Sequence, residues 1–230
     1  MTRLVILQSN YIPWKGYFDL VNDSDIFVFH DDLQYTKNDW RNRNRIKTVK
    51  GLRWLTIPVG SSEKRLICEV LLPITPWGAK HYSLLRESYS CSPFFEDYRH
   101  LLECFYVNSS ITTLSAFNQS FTKALANELG ITTSFHDSRE FNPQGSKLNR
   151  LIDLIKKTGA DTYISGPSAK AYIDEERFKQ EGIKLIWKDY TGYPEYSQRF
   201  PPYAHAVTVL DLLFNVGPEA PHYIWGWRKE

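Results

Sequence analysis

Apolar and polar residues change rhythm along this chain so as to mark out alternating strands and helices. Arg3–Leu7 is a short, β-branched apolar run, the pattern of a strand buried on both faces. It enters Gln8-Ser9-Asn10-Tyr11-Ile12-Pro13-Trp14-Lys15-Gly16, after which Tyr17–Asn22 reads as a helix. Ile26–Phe29 predicts a second strand that ends in His30-Asp31-Asp32. Leu52–Val59 and Leu66–Leu72 read as two more strands. Pro73 and Pro76 then introduce helices over Trp77–Ser88, Phe94–Phe105 and Thr113–Leu129, the last closed by Gly130. From Ile131 the alternation returns: strand Ile131–Phe135, helix Ser146–Lys157, strand Thr162–Ser165, a turn at Gly166-Pro167, a broken helix through Phe178 and a strand at Ile183–Trp187. Asp189–Tyr203 is loop-like, Val207–Phe214 is helical, and the tail Pro218–Glu230, with two Pro and two Trp, is expected to pack on the body.

Repeated strand–helix–strand units imply parallel pairing with right-handed crossovers. The expected fold is α/β: a Rossmann-like, mostly parallel sheet with a helical insertion. One domain would span residues 1–230, with the helices of 77–129 inserted within it. In such a sheet ligands sit outside the carboxyl ends of the strands. Both polar clusters near the N-terminus follow predicted strand ends.

A length of 230 residues allows a substantial core, and 42% apolar content is that of a globular protein. No apolar run approaches a membrane span and no leader pattern precedes the first strand, so the expectation is a cytoplasmic protein without membrane insertion. A net charge of +2 gives no footprint for nucleic acid. Charge is uneven, however. Seven cations lie between Lys37 and Arg53 against one carboxylate, Asp39, a local patch suited to phosphate groups. Cys68, Cys91 and Cys104 lack metal-ligand spacing. Cys68 and Cys104 read as packing residues, and Cys91 as the one with an exposed thiol. No metal is expected.

The turn from Gln8 to Gly16 offers two amide side chains and a helix N-terminus, a setting that attracts anions. It holds Trp14-Lys15-Gly16-Tyr17 where nucleotidyltransferases of one large class place two histidines, which disfavours nucleotidyl transfer while Lys15 keeps anion binding open. Asp31 and Asp32 could orient a substrate or act in proton transfer, or simply form a turn. In the segment from Lys37 to Lys47, alternate spacing puts Arg41, Arg43 and Arg45 on one side and Asn42 and Asn44 on the other. That pattern fits phosphate and sugar recognition, or a charged guard on an edge strand. His81, on the first turns of a helix, is a possible proton acceptor. Ser165, before Gly166-Pro167, ends another strand at the same edge. No Gly-x-Ser-x-Gly elbow is present, so a hydrolase triad is unsupported.

Gln8–Phe18, Asp31-Asp32-x-Gln34-Tyr35, Trp40–Ile46, Ile164–Pro167, Leu210–Asn215 and Gly217-Pro218 together resemble the WbqC-like protein family from end to end. That family occurs in bacterial O-antigen and other surface-polysaccharide gene clusters. The resemblance implies an acyl- or aminoacyl (glycyl) transferase acting on the amine of a nucleotide-linked amino sugar. It points to Gln8, Asn10, Tyr11, Trp14, Asp32, Gln34, Arg41, Asn42 and Arg43 as substrate-binding residues, which Lys15 and Ser165 join from the reading of the loop and strand end above, and to Asp31 or His81 as the base. No tightly bound cofactor is expected; the donor would be a thioester of CoA or of an acyl carrier protein, the latter also a possible partner. At position 30 the family has an apolar residue and at position 91 a small one, so His30 and Cys91 receive no catalytic part. Two other readings compete: an ATP-dependent adenylating or nucleotidyl-transferring enzyme, and a non-catalytic binder of sugar nucleotide or carrier protein.

Overall fold

A computed structural model of the chain describes residues 1–228. Its centre is a five-stranded parallel sheet built from β1 (Arg3–Leu7), β2 (Ile26–Phe29), β5 (Ser134–Asp137), β6 (Thr162–Ser165) and β7 (Lys184–Trp187), in the order β5-β2-β1-β6-β7. The chain moves outward from β1 through β2 to β5, then returns to lay β6 and β7 on the other side. The order therefore reverses between β1 and β6, which is the Rossmann-like topology and defines one switch point at the carboxyl edge.

Strand alternation divides the core. Val5, Phe27, Phe29 and Ile164 face helix α1 (Lys15–Asn22) through Tyr17, Leu20 and Val21. Leu4, Ile6, Val28 and Tyr163 face α5 (Lys147–Thr158) and α6 (Glu175–Gln180) through Ile152, Ile155 and Phe178. Both faces of the sheet are covered, as an all-parallel sheet requires.

Between β2 and β5 the chain makes a long excursion. It forms an antiparallel hairpin, β3 (Arg43–Thr48) and β4 (Gly51–Thr56), and the helices α2 (Trp77–Tyr89), α3 (Phe95–Leu102) and α4 (Leu114–Glu128). These helices share one apolar core with the hairpin and with α7 (Val209–Val216) from the far end of the chain. The segment Leu66–Leu72, expected as a strand, is instead a 3-10 turn at Ile67–Glu69 flanked by isolated bridges Gln34–Leu66 and Leu71–Thr113. Cys68 is half-buried there, and Cys104, expected in the core, is exposed like Cys91. Of the expected tail, Ala220 and Ile224 are buried, while Lys229 and Glu230 lie outside the described residues. Among the described residues no helix is long and apolar enough to cross a membrane.

The two ends of the chain are joined by a buried carboxylate. Asp19 of α1 has no solvent exposure and pairs with Lys188 at 2.7 Å and with both terminal nitrogens of Arg228 at 2.7 and 2.6 Å. Tyr193 donates a further hydrogen bond to it. Removing one member of such a cluster leaves its cations uncompensated, which costs about 3–5 kcal/mol. Asp23 also holds Lys188 and Arg228 is partly exposed, so Asp19→Ala is expected near the lower end, roughly 3 kcal/mol. Urea unfolding should show a lower midpoint at unchanged slope; a loss below about 1 kcal/mol would mean the clamp is solvated in solution.

Candidate functional site

The carboxyl end of β1 runs into a loop held in place by its own backbone. Ser9 N–H donates to Asp31 Oδ1 at 2.8 Å, and Tyr11 N–H donates to the Trp40 carbonyl at 2.8 Å. Ile12 takes a positive φ of 37°, rare for a β-branched residue. Asn44 Nδ2 secures this strained turn by donating to the carbonyls of Tyr11 at 3.1 Å and Ile12 at 2.8 Å. At Gly16 the indole of Trp14 lies so close that a Cβ would meet it at 2.3 Å, which explains the glycine in Trp14-Lys15-Gly16.

Arg41 brings the site together. Its Nη1 donates to Asn10 Oδ1 at 3.0 Å and its Nη2 to Gln8 Oε1. A guanidinium can only donate. Both amides must therefore turn their oxygens toward Arg41, leaving the two NH2 groups free as donors. Gln8 lines a cavity of about 640 Å³ with His30, Leu33, Lys147, Arg150, Tyr163 and Tyr172. Asn10 lines a second, of about 300 Å³, with Pro13, Trp14, Trp40, Asn44 and Ala206. One arginine thus ties a residue of each cavity across the end of β1. Beside it, Ser9 Oγ, Arg41 Nε and Asn118 Oδ1 are buried without a hydrogen-bond partner among the described residues, polar capacity that a buried site normally spends.

The remaining sequence-predicted residues divide sharply. Asp31 is fully buried and its oxygens accept from Ser9 N–H, from Ser115 Oγ at 2.5 Å and from Gln119 Nε2 at 3.1 Å. It is a pin between β2, the first loop and α4, with no solvent-facing oxygen to take a proton from substrate. Asp32 accepts from Ser138 Oγ at 2.5 Å and pairs with Arg150; its Oδ1 lies 3.5 Å from His30 Nε2. Tyr11 and His81 meet at 2.7 Å in the helical core, and Tyr11 also bonds Tyr106 at 2.6 Å. Burial drives the His81 imidazole down to a pKa of about 4, so it stands there neutral and enclosed.

Lys15 is turned away from both cavities. Its ammonium donates to the Pro194 carbonyl at 3.1 Å and to Tyr203 at 3.3 Å, with the rings of Tyr193 and Tyr196 at 5.0 and 5.4 Å. Burial lowers it to a pKa of about 8, against the attraction of Glu195. Trp14 is half-buried against Tyr190 and Tyr193. Asn42 is buried and donates to the Ile57 carbonyl at 3.0 Å. The Arg43 guanidinium lies over the Trp54 ring, 4.4 Å from its centre. Gln34 is exposed and lines neither cavity, and Ser165 closes β6, its carbonyl accepting from Lys188 N–H at 2.8 Å. Among the described residues no group of three or more His, Cys, Asp or Glu is placed to hold a metal. The exposed Cys91 thiol is held below its usual pKa by Arg199, but it lines neither cavity.

The site contains residues that sequence reasoning passed over. His30 is buried, its Nε2 has no hydrogen-bond partner among the described residues, and it lines the larger cavity. Lys147 and Arg150 come from the start of α5, a helix whose N-terminus must lie at the carboxyl edge because it leads into a parallel strand. That rule, applied to every helix, would have found them.

The model of the WbqC-like protein family matches residues 8–223 of the chain. A protein of Mycobacterium tuberculosis described as uncharacterized protein Rv1507c is 43% identical over 226 residues, covering 97% of this chain and 98% of its own. No solved structure matches the chain significantly.

The His81 geometry has a stability consequence. Its folded pKa of about 4 lies below the unfolded value of 6.5, so between those values only the unfolded state binds the proton and stability falls as pH falls. The shift corresponds to roughly 3 kcal/mol, present in full above about pH 6.5 and lost on acidification toward pH 4. Stability curves from pH 4 to 7 for the wild type and His81→Gln should converge at low pH, and the His81 ring resonances should not titrate above pH 5. A ring titrating near 6.5 would place His81 in solvent.

Proposed function

The chain belongs to the WbqC-like protein family, and we propose that it transfers an acyl or aminoacyl (glycyl) group to the amine of a nucleotide-linked amino sugar in surface-polysaccharide assembly. The observation that carries this reading is the pair of cavities on either side of the β1 terminus, bound together through Gln8, Arg41 and Asn10. A bimolecular group transfer needs two substrates held with their reacting atoms at a common point, and that arrangement removes much of the entropic barrier.

In this scheme the amine nitrogen attacks the thioester carbonyl, the carbonyl π electrons move to oxygen, and collapse expels the thiolate. The oxyanion is met by the free NH2 groups of Asn10 and Gln8, which Arg41 holds in one orientation before substrate arrives. The proton lost by the amine goes to His30, which replaces both Asp31 and His81 in that part. Burial lowers the His30 pKa below 6.5, with Arg150 pushing the same way and Asp32, Asp31 and Asp137 opposing. The ring is then a neutral acceptor at pH 7, and Asp32 stands 3.5 Å away to stabilise the imidazolium that forms. The donor is a CoA or acyl-carrier-protein thioester, for which no residue beyond these is needed to activate the carbonyl.

Incubation with nucleotide-linked amino sugars, glycyl and acyl thioesters and ATP, read by product mass, is expected to give an N-acylated sugar nucleotide from a thioester. Pyrophosphate released from ATP would move the protein to the adenylating class, and ligand binding without product from any donor would make it a binder. Arg41→Ala should lower kcat/KM on the order of 10²-fold, the scale of a lost oxyanion contact. Arg41→Lys should rescue little, because one ammonium cannot span two amide oxygens. For His30 the check is the pH profile: activity should fall on the acid side below pH 6.5 as the ring protonates, and His30→Gln should lose roughly 10²-fold together with that acid limb. Retention of the limb in His30→Gln would assign the proton to another group.

A further inference from the structure

The larger cavity is built differently from the rest of the carboxyl edge. In a Rossmann-like sheet the first loop and the helix after β1 are the usual phosphate seat. Here that seat is closed: the N–H groups of Ser9 and Tyr11 are spent on Asp31 and Trp40, and the start of α1 is occupied by the buried Lys15. α5 also begins at this edge, and its first turns line the 640 Å³ cavity through Lys147, Leu148, Arg150 and Leu151.

That first turn is electrostatically incomplete. It contains no acidic residue, and Ser146 makes no side-chain capping bond. Two cations, Lys147 and Arg150, sit instead at the positive end of the helix, where they oppose the macrodipole. Asp32 compensates only Arg150, which also donates to the Pro143 carbonyl. Lys147 is exposed and has no ion pair or hydrogen bond among the described residues. An anion bound at this turn would satisfy Lys147 and the free N–H groups together. Independently, His30 is 8% exposed and lines the same cavity, and its buried Nε2, with Asp32 Oδ1 3.5 Å away, makes no hydrogen bond among the described residues. The rest of the lining is largely aromatic or apolar: Tyr163, Tyr172, Ile6, Leu7 and Leu33.

We propose that this cavity is a nucleoside-phosphate site, with the phosphate on the first turn of α5 and Lys147, a hydrogen bond from ligand to His30, and the base against Tyr163 and Tyr172. The site deepens the transferase reading, on which it rests only for its biological use, since a nucleotide-linked acceptor needs such a seat. The same chemistry is presented by the phosphorylated adenosine end of coenzyme A, so the donor is the other possible source.

Calorimetric titration of the full chain with UMP, UDP, AMP, coenzyme A and inorganic phosphate separates the cases. Saturable binding of a nucleoside phosphate is expected, with inorganic phosphate at least an order of magnitude weaker, because it forgoes stacking. Preference for free nucleotides assigns the cavity to the acceptor; preference for coenzyme A assigns it to the donor. Lys147→Glu and Tyr172→Ala alter exposed side chains and should each weaken binding about tenfold without lowering the melting temperature. Arg43→Ala, on the hairpin, should leave affinity as it was. Absence of binding by any probe, equal affinity for inorganic phosphate, indifference to both cavity variants, or loss in Arg43→Ala alone would each overturn the assignment. Failure of the transferase reading is separate: nucleotide binding lost in the cavity variants, without turnover from any donor, keeps the site and removes the reaction.

Discussion

Asp31 extends the carboxyl end of β2 into a place with no solvent, where a carboxylate costs several kcal/mol unless its oxygens are met by donors. Three donors meet it: the Ser9 amide from the loop after β1, and Ser115 and Gln119 from α4. Gln119 also donates to Asp137 at the end of β5, at 2.9 Å. One acidic residue therefore fastens neighbouring strand ends to the helical layer that the excursion between β2 and β5 creates. The consequence for chemistry follows from which amide it holds. Fixing Ser9 fixes the backbone between Gln8 and Asn10, so their side chains leave the loop where Arg41 can take both oxygens. Had Asp31 been free to serve as a base, this loop would have no anchor. Its burial and its bonds make it a positioning residue.

Most strands of the sheet are legible in the sequence as short, largely apolar runs bounded by turn formers, and β2 and β6 fall where the pattern places them, whereas the strand expected at Ile131–Phe135 lies at Ser134–Asp137, where only Phe135 is apolar. Leu66–Leu72 misleads for a definite reason. Alternation records which side chains face inward, and a 3-10 turn between two isolated bridges satisfies the same alternation without a ladder. The alternating arginines and asparagines do form two faces, yet the chemistry divides within them. Asn42 and Asn44 turn inward to bond backbone carbonyls, while Arg43 and Arg45 lie over Trp54. Of the three arginines, Arg41, at the entrance to the hairpin, is the one that bonds Gln8 and Asn10.

Long-range pairs set the limit of what a linear reading can see. His81 has a helical pattern around it that suits a surface as well as a core; its partner Tyr11 is seventy positions away. His30 lies beside two aspartates after a strand, a visible signal, but the family's apolar habit at that position argued against it. What decides its part is the cavity wall, made by β1, β6 and α5 together. The switch point itself depends on strand order, which no local pattern states.

The distal end of the chain explains why the usual phosphate loop is given up. A cation at the first position of α1 is unfavourable to the helix, and burial makes it more so. The segment after β7 resolves this by wrapping Lys15 in the Pro194 carbonyl and three tyrosines, while Arg228 and Lys188 close on Asp19 one turn later. The same segment reaches Trp14 through a bridge from Thr208 and contributes Ala206 to the smaller cavity. Aromatic and ionic contacts that fasten the chain's ends thus occupy the space a phosphate would take at α1. The anion site we propose at this edge lies instead at α5, whose first turn is basic and uncapped. Stability and site architecture are in this way coupled: the strap that closes one helix terminus shapes one cavity and leaves the other to carry the charge.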